Sequence, residues 1–254
     1  MTTSYSNPNV VKPRIRIVFS DLDGTLIHYP KDPEHYAREH SESILHLPPS
    51  ATGTRGVISA RTLLYAQELR NRGVKLVLIS GMRTSTLISR LSFLPVADAY
   101  CTEAGGRIFY RVSPVNGQFT CEPVQYEGAE MLENFGLQED LEWRKRWEDE
   151  SAAGKEGFIG NELAYEQTED PVPISQRSGL LWEFAASLER KGLVIDCNSY
   201  STCFRIHKSQ QNKQGQNFFD DLLNGKISCP PGLATSTNLG AIDFYPAASG
   251  KKNW

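Results

Sequence analysis

The chain has 254 residues, a length that allows one or two domains, and 39% of them are hydrophobic, which is enough for a sizeable core. Its 27 Lys and Arg and 30 Asp and Glu give a net charge of -3, so no strong basic field attracts nucleic acid or an anionic membrane. The N-terminus lacks a signal-peptide pattern, no apolar run approaches the ~18 residues of a membrane span, and five cysteines without a Cys-x-x-Cys pair favour a reduced, cytoplasmic location.

The first predicted strand ends in the most informative motif of the sequence. Residues 15–20 are mostly β-branched and apolar, and they run directly into Asp21-Leu22-Asp23-Gly24-Thr25. A polar stretch over residues 28–56 follows, broken by four prolines, and we expect it to be a solvated flap. The histidines at positions 35, 40 and 46 within it match no helical metal-ligand spacing.

Two further strands complete the predicted core sheet. Ser59 begins an amphipathic helix that stops at Gly73, and residues 74–79 then form an apolar strand that ends in Ser80-Gly81. A short helix precedes a third strand over residues 98–102. This order of strands and helices implies a right-handed crossover and a parallel sheet, in which ligands bind beyond the carboxyl ends of the strands. We therefore expect a Rossmann-like α/β core whose polar turns lie together.

From about residue 107 the predicted elements change in character. Asn116-Gly117 between two stretches of strand-forming residues indicates an antiparallel hairpin. Hairpins mixed with helices indicate an α+β module of roughly 130 residues inserted after the third strand. The later predicted elements are, in chain order, helices over 137–149 and 179–191, strands over 194–198 and 202–206, a helix over 218–223 and a strand over 241–244.

Asp21 and Asp23 carry the predicted chemistry. Two carboxylates at positions i and i+2 would face the same way along a strand, but Gly24 lets the chain turn so that both surround one small volume. One carboxylate can then attack phosphorus while the other transfers protons, and carboxylate oxygens also suit Mg²⁺. The loop amides beyond Gly24 can hold a phosphoryl oxygen. The motif alone would also fit an ordinary acidic turn, but its place after an apolar strand favours the functional interpretation.

An apolar strand followed by Asp-x-Asp-Gly-Thr resembles the first motif of the haloacid dehalogenase-like (HAD) superfamily. The resemblance implies that Asp21 is the phosphorylated nucleophile and a Mg²⁺ ligand. It implies that Asp23 is the general acid and base and gives its main-chain carbonyl to the metal. Ser80 resembles the second motif, so its hydroxyl and the Gly81 amide would bind the phosphoryl group together with Gly24 and Thr25.

Residues 242–251, Ile-Asp-Phe-Tyr-Pro-Ala-Ala-Ser-Gly-Lys, resemble the return to the core in HAD enzymes with a large α/β cap between the second and third motifs. Lys251 would be the third motif and would neutralise phosphate charge, with Lys252 as the alternative. The resemblance then implies three regions. They are a core with the first two motifs over residues 1–109, an inserted α+β cap over residues 110–240, and a return to the core over residues 241–254.

The fourth motif of the superfamily, one or two acidic residues after a further core strand, has no match after Lys251. We therefore expect Mg²⁺ to be held weakly, by Asp21 and the Asp23 carbonyl alone, and residues 15–19 to form an exposed apolar edge. Without a fourth motif, the chain would resemble a truncated HAD enzyme.

Other assignments of the last two motifs fit the sequence less well. Lys208 or Lys213 could be the third motif with Asp220-Asp221 as the fourth, but those two acids fit a helix with a charged and an apolar face. Asp243 lies inside the return strand, and we interpret it as structural.

The motif order predicts a Mg²⁺-dependent hydrolase of small phosphorylated metabolites, such as sugar phosphates, that acts through an aspartyl phosphate. No nucleic-acid or membrane partner is expected. Two alternatives stay open: a catalytically inactive binding or regulatory protein, which the missing fourth motif favours, and a phosphotransferase or phosphomutase of the same superfamily.

Overall fold

The computed structural model of the protein describes residues 15–40, 43–50, 53–112, 128–149 and 173–249. The strands in these ranges are β1 (Ile17–Asp21), β2 (Ile27–His28), β3 (Ile44–His46), β4 (Val57–Ser59), β5 (Lys75–Ile79), β6 (Ala99–Thr102), β7 (Arg107–Arg111), β8 (Leu137–Glu139), β9 (Phe204–His207), β10 (Leu233–Asn238) and β11 (Ala241–Pro246). The helices are α1 (Pro33–His40), α2 (Ala60–Asn71), α3 (Thr84–Arg90), α4 (Gly128–Asn134), α5 (Leu141–Asp149), α6 (Leu180–Glu189) and α7 (Lys213–Leu223). Within these ranges no helix combines the length and the apolar character that crossing a membrane requires.

Five strands form the central sheet in the order β1-β5-β6-β7-β8. β1, β5 and β6 run parallel, whereas β7 and β8 extend the sheet in antiparallel fashion. β5 lies inside the sheet, and its Leu76 and Leu78 are buried in the larger hydrophobic core. The predicted α/β class with a parallel core sheet is confirmed.

Helix α2 connects the flap to β5 as the sequence predicts. The Ser59 side chain accepts a hydrogen bond from the Arg61 amide at 3.1 Å and so caps the first turn. Gly73, just beyond the helix, has φ of 78°, a left-handed conformation that glycine adopts without strain. Both helix boundaries therefore follow from local residue chemistry.

Strand β1 is an edge of the central sheet and pairs only with β5 among the described residues. Its outward side chains are apolar, with Ile17 46% and Phe19 48% exposed, and Ile15 just before the strand is 63% exposed. Val18, on the opposite face, packs against the core. The expected exposed apolar edge is thus present in the described part of the chain.

The flap is more regular than we expected. Besides helix α1 it contains β3, which joins β2 and β4 at the two ends of the flap in an antiparallel sheet of order β2-β4-β3. Ile27 and Ile58, which are paired in this sheet, are fully buried. His35 and His46 are in exposed contacts with glutamates, at 3.4 and 3.5 Å. No group of three metal-binding side chains is found in the part of the chain that the structure describes.

The predicted surface helix over residues 137–149 is wrong in its first turn. Leu137 to Glu139 form strand β8, and α5 begins only at Leu141. The reason is burial, because Leu137 joins the core and the Glu139 carboxylate accepts two hydrogen bonds of 2.7 Å from the buried Arg107. The predicted hairpin around Asn116-Gly117 lies outside the described residues.

A second, antiparallel sheet has the order β10-β11-β9 and packs on α6. The predicted strand over residues 194–198 is not formed, and Asp196 makes only an isolated bridge with Arg205. The predicted strand over 241–244 exists as β11, but it pairs with β9 and β10 and not with the core sheet. Ile242 and Phe244 face the α6 core, which explains why this strand belongs to the second sheet. Lys251 and Lys252 lie outside the described residues, so their assignment to the third motif stays a prediction. The predicted domain boundaries also stay a prediction.

Candidate functional site

The ends of β1 and β5 lie side by side. Asp21 is paired with Ile79 in the parallel register, so the residues that follow the two strands share one edge of the sheet. The Leu22 amide donates to Asp21 Oδ1 at 2.9 Å and to the Ile79 carbonyl at 3.1 Å. Asp21 is half-buried, and its carboxylate is oriented by the main chain of the motif itself.

Asp23 and Ser80 are in direct contact at this edge. The Ser80 hydroxyl donates to Asp23 Oδ2 at 2.5 Å and accepts the Met82 amide at 2.9 Å. Ser80 is fully buried, whereas Asp23 is half-buried and lines a cavity. In this structure the hydroxyl that the sequence assigns to phosphate binding is therefore used to orient Asp23.

Tyr29 and Arg90 complete the surroundings of Asp23, and sequence reasoning missed both. The Tyr29 hydroxyl donates to Asp23 Oδ1, and Arg90 Nη1 donates to the Tyr29 oxygen at 3.2 Å. Burial raises the pKa of Tyr29 well above its ordinary value, and the negative charge of Asp23 raises it further, so the phenol keeps its proton. The sequence did indicate that Arg90 is not an ordinary surface residue. It lies three residues after Leu87 and one before Leu91, two apolar residues that are buried, on an apolar helix face.

The turn after Asp23 is built on Gly24. Its φ of 80° is left-handed, while an added Cβ would have nothing within 4 Å, so conformation and not crowding requires glycine here. The Gly24 amide donates to the Ile27 carbonyl at 2.8 Å and the Thr25 amide to the Leu22 carbonyl at 3.3 Å. Both amides are thus used within the turn, and their predicted phosphate contacts stay a prediction.

Gly81 lies where the second sheet touches the core. Its carbonyl accepts the Tyr200 hydroxyl at 3.3 Å and Arg205 Nη2 at 3.2 Å. A Cβ at this position would lie 2.5 Å from Asp243 Oδ2, so a larger residue would force Asp243 to shift. Asp243 itself holds Arg205 in a bidentate ion pair with distances of 2.5 and 2.8 Å, in agreement with its structural interpretation.

The third polar turn, after β6, meets the segment just before β9. Glu103 is fully buried, and its carboxylate accepts hydrogen bonds from the amides of Ser201 and Thr202. The next residue, Ala104, donates its amide to the Ser80 carbonyl at 3.1 Å. The three turns that follow β1, β5 and β6 therefore lie together, as the parallel order of the strands predicts.

A cavity of about 550 Å³ opens between these turns, the flap and the second sheet. Its polar wall residues are Asp23, Tyr29, Ser50, Thr54, Arg83, Thr86, Arg90, Tyr200, Arg205, His207, Ser209 and Gln210. Arg83 is held there by an ion pair with Asp196, which also lies 3.4 Å from His207 Nε2. Burial acts to raise the pKa of Asp196, but the contacts with His207 and Arg83 outweigh it and hold the pKa below its ordinary value.

The donors for a metal ion are few in the described part of the chain. Both carboxylate oxygens of Asp23 accept hydrogen bonds, from Tyr29 and Ser80. The resemblance implies two oxygen donors, the Asp21 carboxylate, whose Oδ1 accepts the Leu22 amide at 2.9 Å, and the Asp23 main-chain carbonyl. They fit Mg²⁺ in kind, because this ion is commonly held by one or two carboxylates together with water and substrate phosphate. The alternative acids, Asp220 and Asp221, lie on α7 in ion pairs with lysines.

Comparison with known proteins gives only distant structural similarity. No protein-family model matches the chain, and no curated protein matches it. Among solved structures, trehalose-6-phosphate phosphatase from Aspergillus fumigatus matches 96% of this chain with a TM-score of 0.39 and 12% sequence identity. The match covers 65% of that enzyme's chain, so this chain spans less than two thirds of its length.

Proposed function

We propose that the protein hydrolyses phosphomonoesters of small molecules through a phosphorylated Asp21. The observation that carries this proposal is the contact of Asp23 with Ser80, which joins the ends of two parallel strands beside a cavity of about 550 Å³. Asp23 lines this cavity and is assigned proton transfer. Asp21, two residues earlier and half-buried at the end of β1, is assigned the role of nucleophile from its place in the motif.

The reaction has two steps. A carboxylate oxygen of Asp21 attacks phosphorus, the bond from phosphorus to the leaving oxygen breaks, and protonated Asp23 gives its proton to that oxygen. Water then attacks the phosphorus of the aspartyl phosphate, Asp23 takes up a proton from the water, and inorganic phosphate leaves Asp21. Both residues return to their starting state, and the net reaction converts ester and water to alcohol and phosphate.

Ser80 and the loop amides would stabilise the phosphoryl group. When substrate binds, the Ser80 hydroxyl would turn from Asp23 to a phosphoryl oxygen, next to the Gly81 amide. Gly24 and Thr25 would contribute their amides only after the hydrogen bonds within their turn open. Lys251 is proposed as the cation that neutralises the phosphoryl charge.

A Mg²⁺ ion, when bound, would neutralise charge on the phosphoryl group and orient the ester. The Asp21 carboxylate and the Asp23 carbonyl would hold it, with water and substrate oxygens completing its coordination.

We further propose that the second sheet acts as a cap for the organic part of the substrate. Its contribution to the cavity wall is mainly polar and consists of Arg205, His207, Ser209 and Gln210, together with the apolar Leu239. Arg205 and Arg83 are already paired with Asp243 and Asp196, so these two guanidinium groups offer hydrogen bonds more than unpaired charge. A small hydroxylated group, as in a sugar phosphate, suits such a wall.

Turnover of p-nitrophenyl phosphate by the full chain, with Mg²⁺ and with a chelator, tests the proposal. We expect Mg²⁺-dependent release of phosphate and a loss of about a thousandfold or more in Asp21→Asn. The matched control is Asp221→Asn, which removes an exposed carboxylate paired with Lys226. Full activity in Asp21→Asn would overturn the proposal, whereas an inactive wild-type chain would favour a binding or regulatory role. Product analysis with added sugar distinguishes the two reactions, because hydrolysis releases inorganic phosphate and phosphotransfer yields a phosphorylated sugar.

A further inference from the structure

We propose that Tyr29 is a positioning residue for Asp23 and that Arg90 sets the direction in which the Tyr29 hydroxyl donates. The inference rests on the proposed function, because it assigns to Tyr29 the task of orienting the carboxylate that transfers protons. Neither residue belongs to the motifs that the sequence singles out. They reach Asp23 only through the fold, since Arg90 lies 61 residues beyond Tyr29.

The direction of the hydrogen bonds follows from the chemistry of the three side chains. A guanidinium group only donates, so the Tyr29 oxygen must accept from Arg90 Nη1 at 3.2 Å. The phenol hydrogen is then free to point at Asp23 Oδ1, which it contacts. Asp23 Oδ1 can accept this hydrogen whether or not Oδ2 carries the proton of the reaction, so the chain from Arg90 through Tyr29 to Asp23 has one consistent polarity.

Arg90 is itself fixed by the flap. Its Nε donates to the Pro48 carbonyl at 3.0 Å and its Nη2 to the Thr54 carbonyl at 3.2 Å. The residue is only 1% exposed, and none of the ion pairs found in the described ranges includes it. A buried cation that contacts carbonyl dipoles and one phenol is well suited to polarise that phenol.

Two donors on two different oxygens fix the plane of the Asp23 carboxylate. Tyr29 holds Oδ1 and Ser80 holds Oδ2, so rotation of the carboxylate would break both bonds. When Ser80 turns to the phosphoryl group, Tyr29 is the donor that still holds Asp23. Loss of the phenol would then misplace the carboxylate during transfer of its proton to the leaving oxygen.

The test compares two aryl phosphates that differ in how much they need that proton. p-Nitrophenyl phosphate has a good leaving group and phenyl phosphate a poorer one, so a misplaced Asp23 slows the second more. For Tyr29→Phe we expect kcat to fall about tenfold or more on phenyl phosphate and clearly less on p-nitrophenyl phosphate, with KM almost unchanged. Arg90→Lys should show the same pattern in weaker form.

Tyr110→Phe is the matched control, because the Tyr110 hydroxyl donates to Asp140 Oδ2 at 3.1 Å at an exposed position outside the cavity. An unchanged Tyr29→Phe variant, or an equal loss on both esters, would overturn the positioning role while the proposed function stands. A wild-type chain that hydrolyses neither ester would overturn both. Urea unfolding of each variant shows whether a loss of kcat comes from misfolding.

Discussion

Glu103 and Thr202 join the two sheets through a fully buried contact. The Glu103 carboxylate accepts the Thr202 amide at 2.7 Å and the Thr202 hydroxyl at 2.8 Å. The carboxylate also accepts the Ser201 amide at 2.9 Å. Because all three residues are buried, breaking these hydrogen bonds would be costly, and the contact therefore fixes one wall of the cavity relative to the core.

Glu103→Gln should destabilise the protein by about 2–4 kcal/mol, because the NH₂ group of glutamine would face the buried amide and hydroxyl donors that the carboxylate now accepts. The midpoint of urea unfolding measures this loss. Glu142→Gln is the control, because its side chain is 88% exposed and the change should stay within about 0.5 kcal/mol. Equal midpoints for wild type and Glu103→Gln would show that the buried carboxylate does not hold the sheets together.

Gly81→Ala should cost about 1–3 kcal/mol and lower turnover, because the new Cβ would lie 2.5 Å from Asp243 Oδ2 and push apart the core and the second sheet. Gly225→Ala is the control that separates the effect of a crowded Cβ from the effect of backbone conformation. Gly225 has φ of 71°, and a Cβ added there would have nothing within 4 Å, so that variant loses only about 1–2 kcal/mol to backbone strain and should keep its turnover. Normal turnover in Gly81→Ala would contradict the tight contact.

Ile17→Lys should slow aggregation on heating, because it places a charge on the exposed edge strand β1. Ile17 is 46% exposed, so the free energy of unfolding should change by only about 1 kcal/mol or less. Light scattering during a temperature ramp measures the effect. Leu64→Lys changes an equally apolar residue, 69% exposed on α2, that offers no strand edge. If both variants slow aggregation to the same extent, the edge is not the cause.

Asp196 should make stability fall in acid. Its pKa is lowered in the folded state, so the ionised form contributes stability that is present above the ordinary value of 3.8 and is lost as pH falls through the lower folded value. The free energy of unfolding should therefore fall more steeply below about pH 4 in the wild type than in Asp196→Asn. Parallel pH profiles of the two proteins would contradict the ion pair with Arg83.

The adjacency of Asp21 and Ser80 could be predicted because its signals are local. Apolar runs end directly in Asp21 and Ser80, and parallel strands bring such ends together whatever the rest of the chain does. The helix limits at Ser59 and Gly73 are equally local, since one depends on a side-chain cap and the other on a left-handed φ.

Contacts between distant segments could not be predicted in this way. Strand propensity places a strand at residues 241–244, but it cannot say that β11 pairs with β9, because pairing depends on which sheet buries Phe244. The sequence pattern around Leu137 predicts an amphipathic helix. The strand that forms there depends on Arg107, a distant residue that lies beside Glu139. Tyr29 lies in a proline-broken polar stretch, and nothing local indicates that Arg90 would reach it.

The most direct test of the proposed mechanism is to locate the phosphoryl group during turnover. The full chain is mixed with Mg²⁺ and p-nitrophenyl phosphate, quenched in acid and digested, and the peptides are analysed by mass spectrometry. We predict an acid-stable phosphoryl group on Asp21, present in the wild type and absent from Asp21→Asn. Phosphate release without any phosphorylated Asp21, or with the phosphoryl group on another residue, would contradict the mechanism.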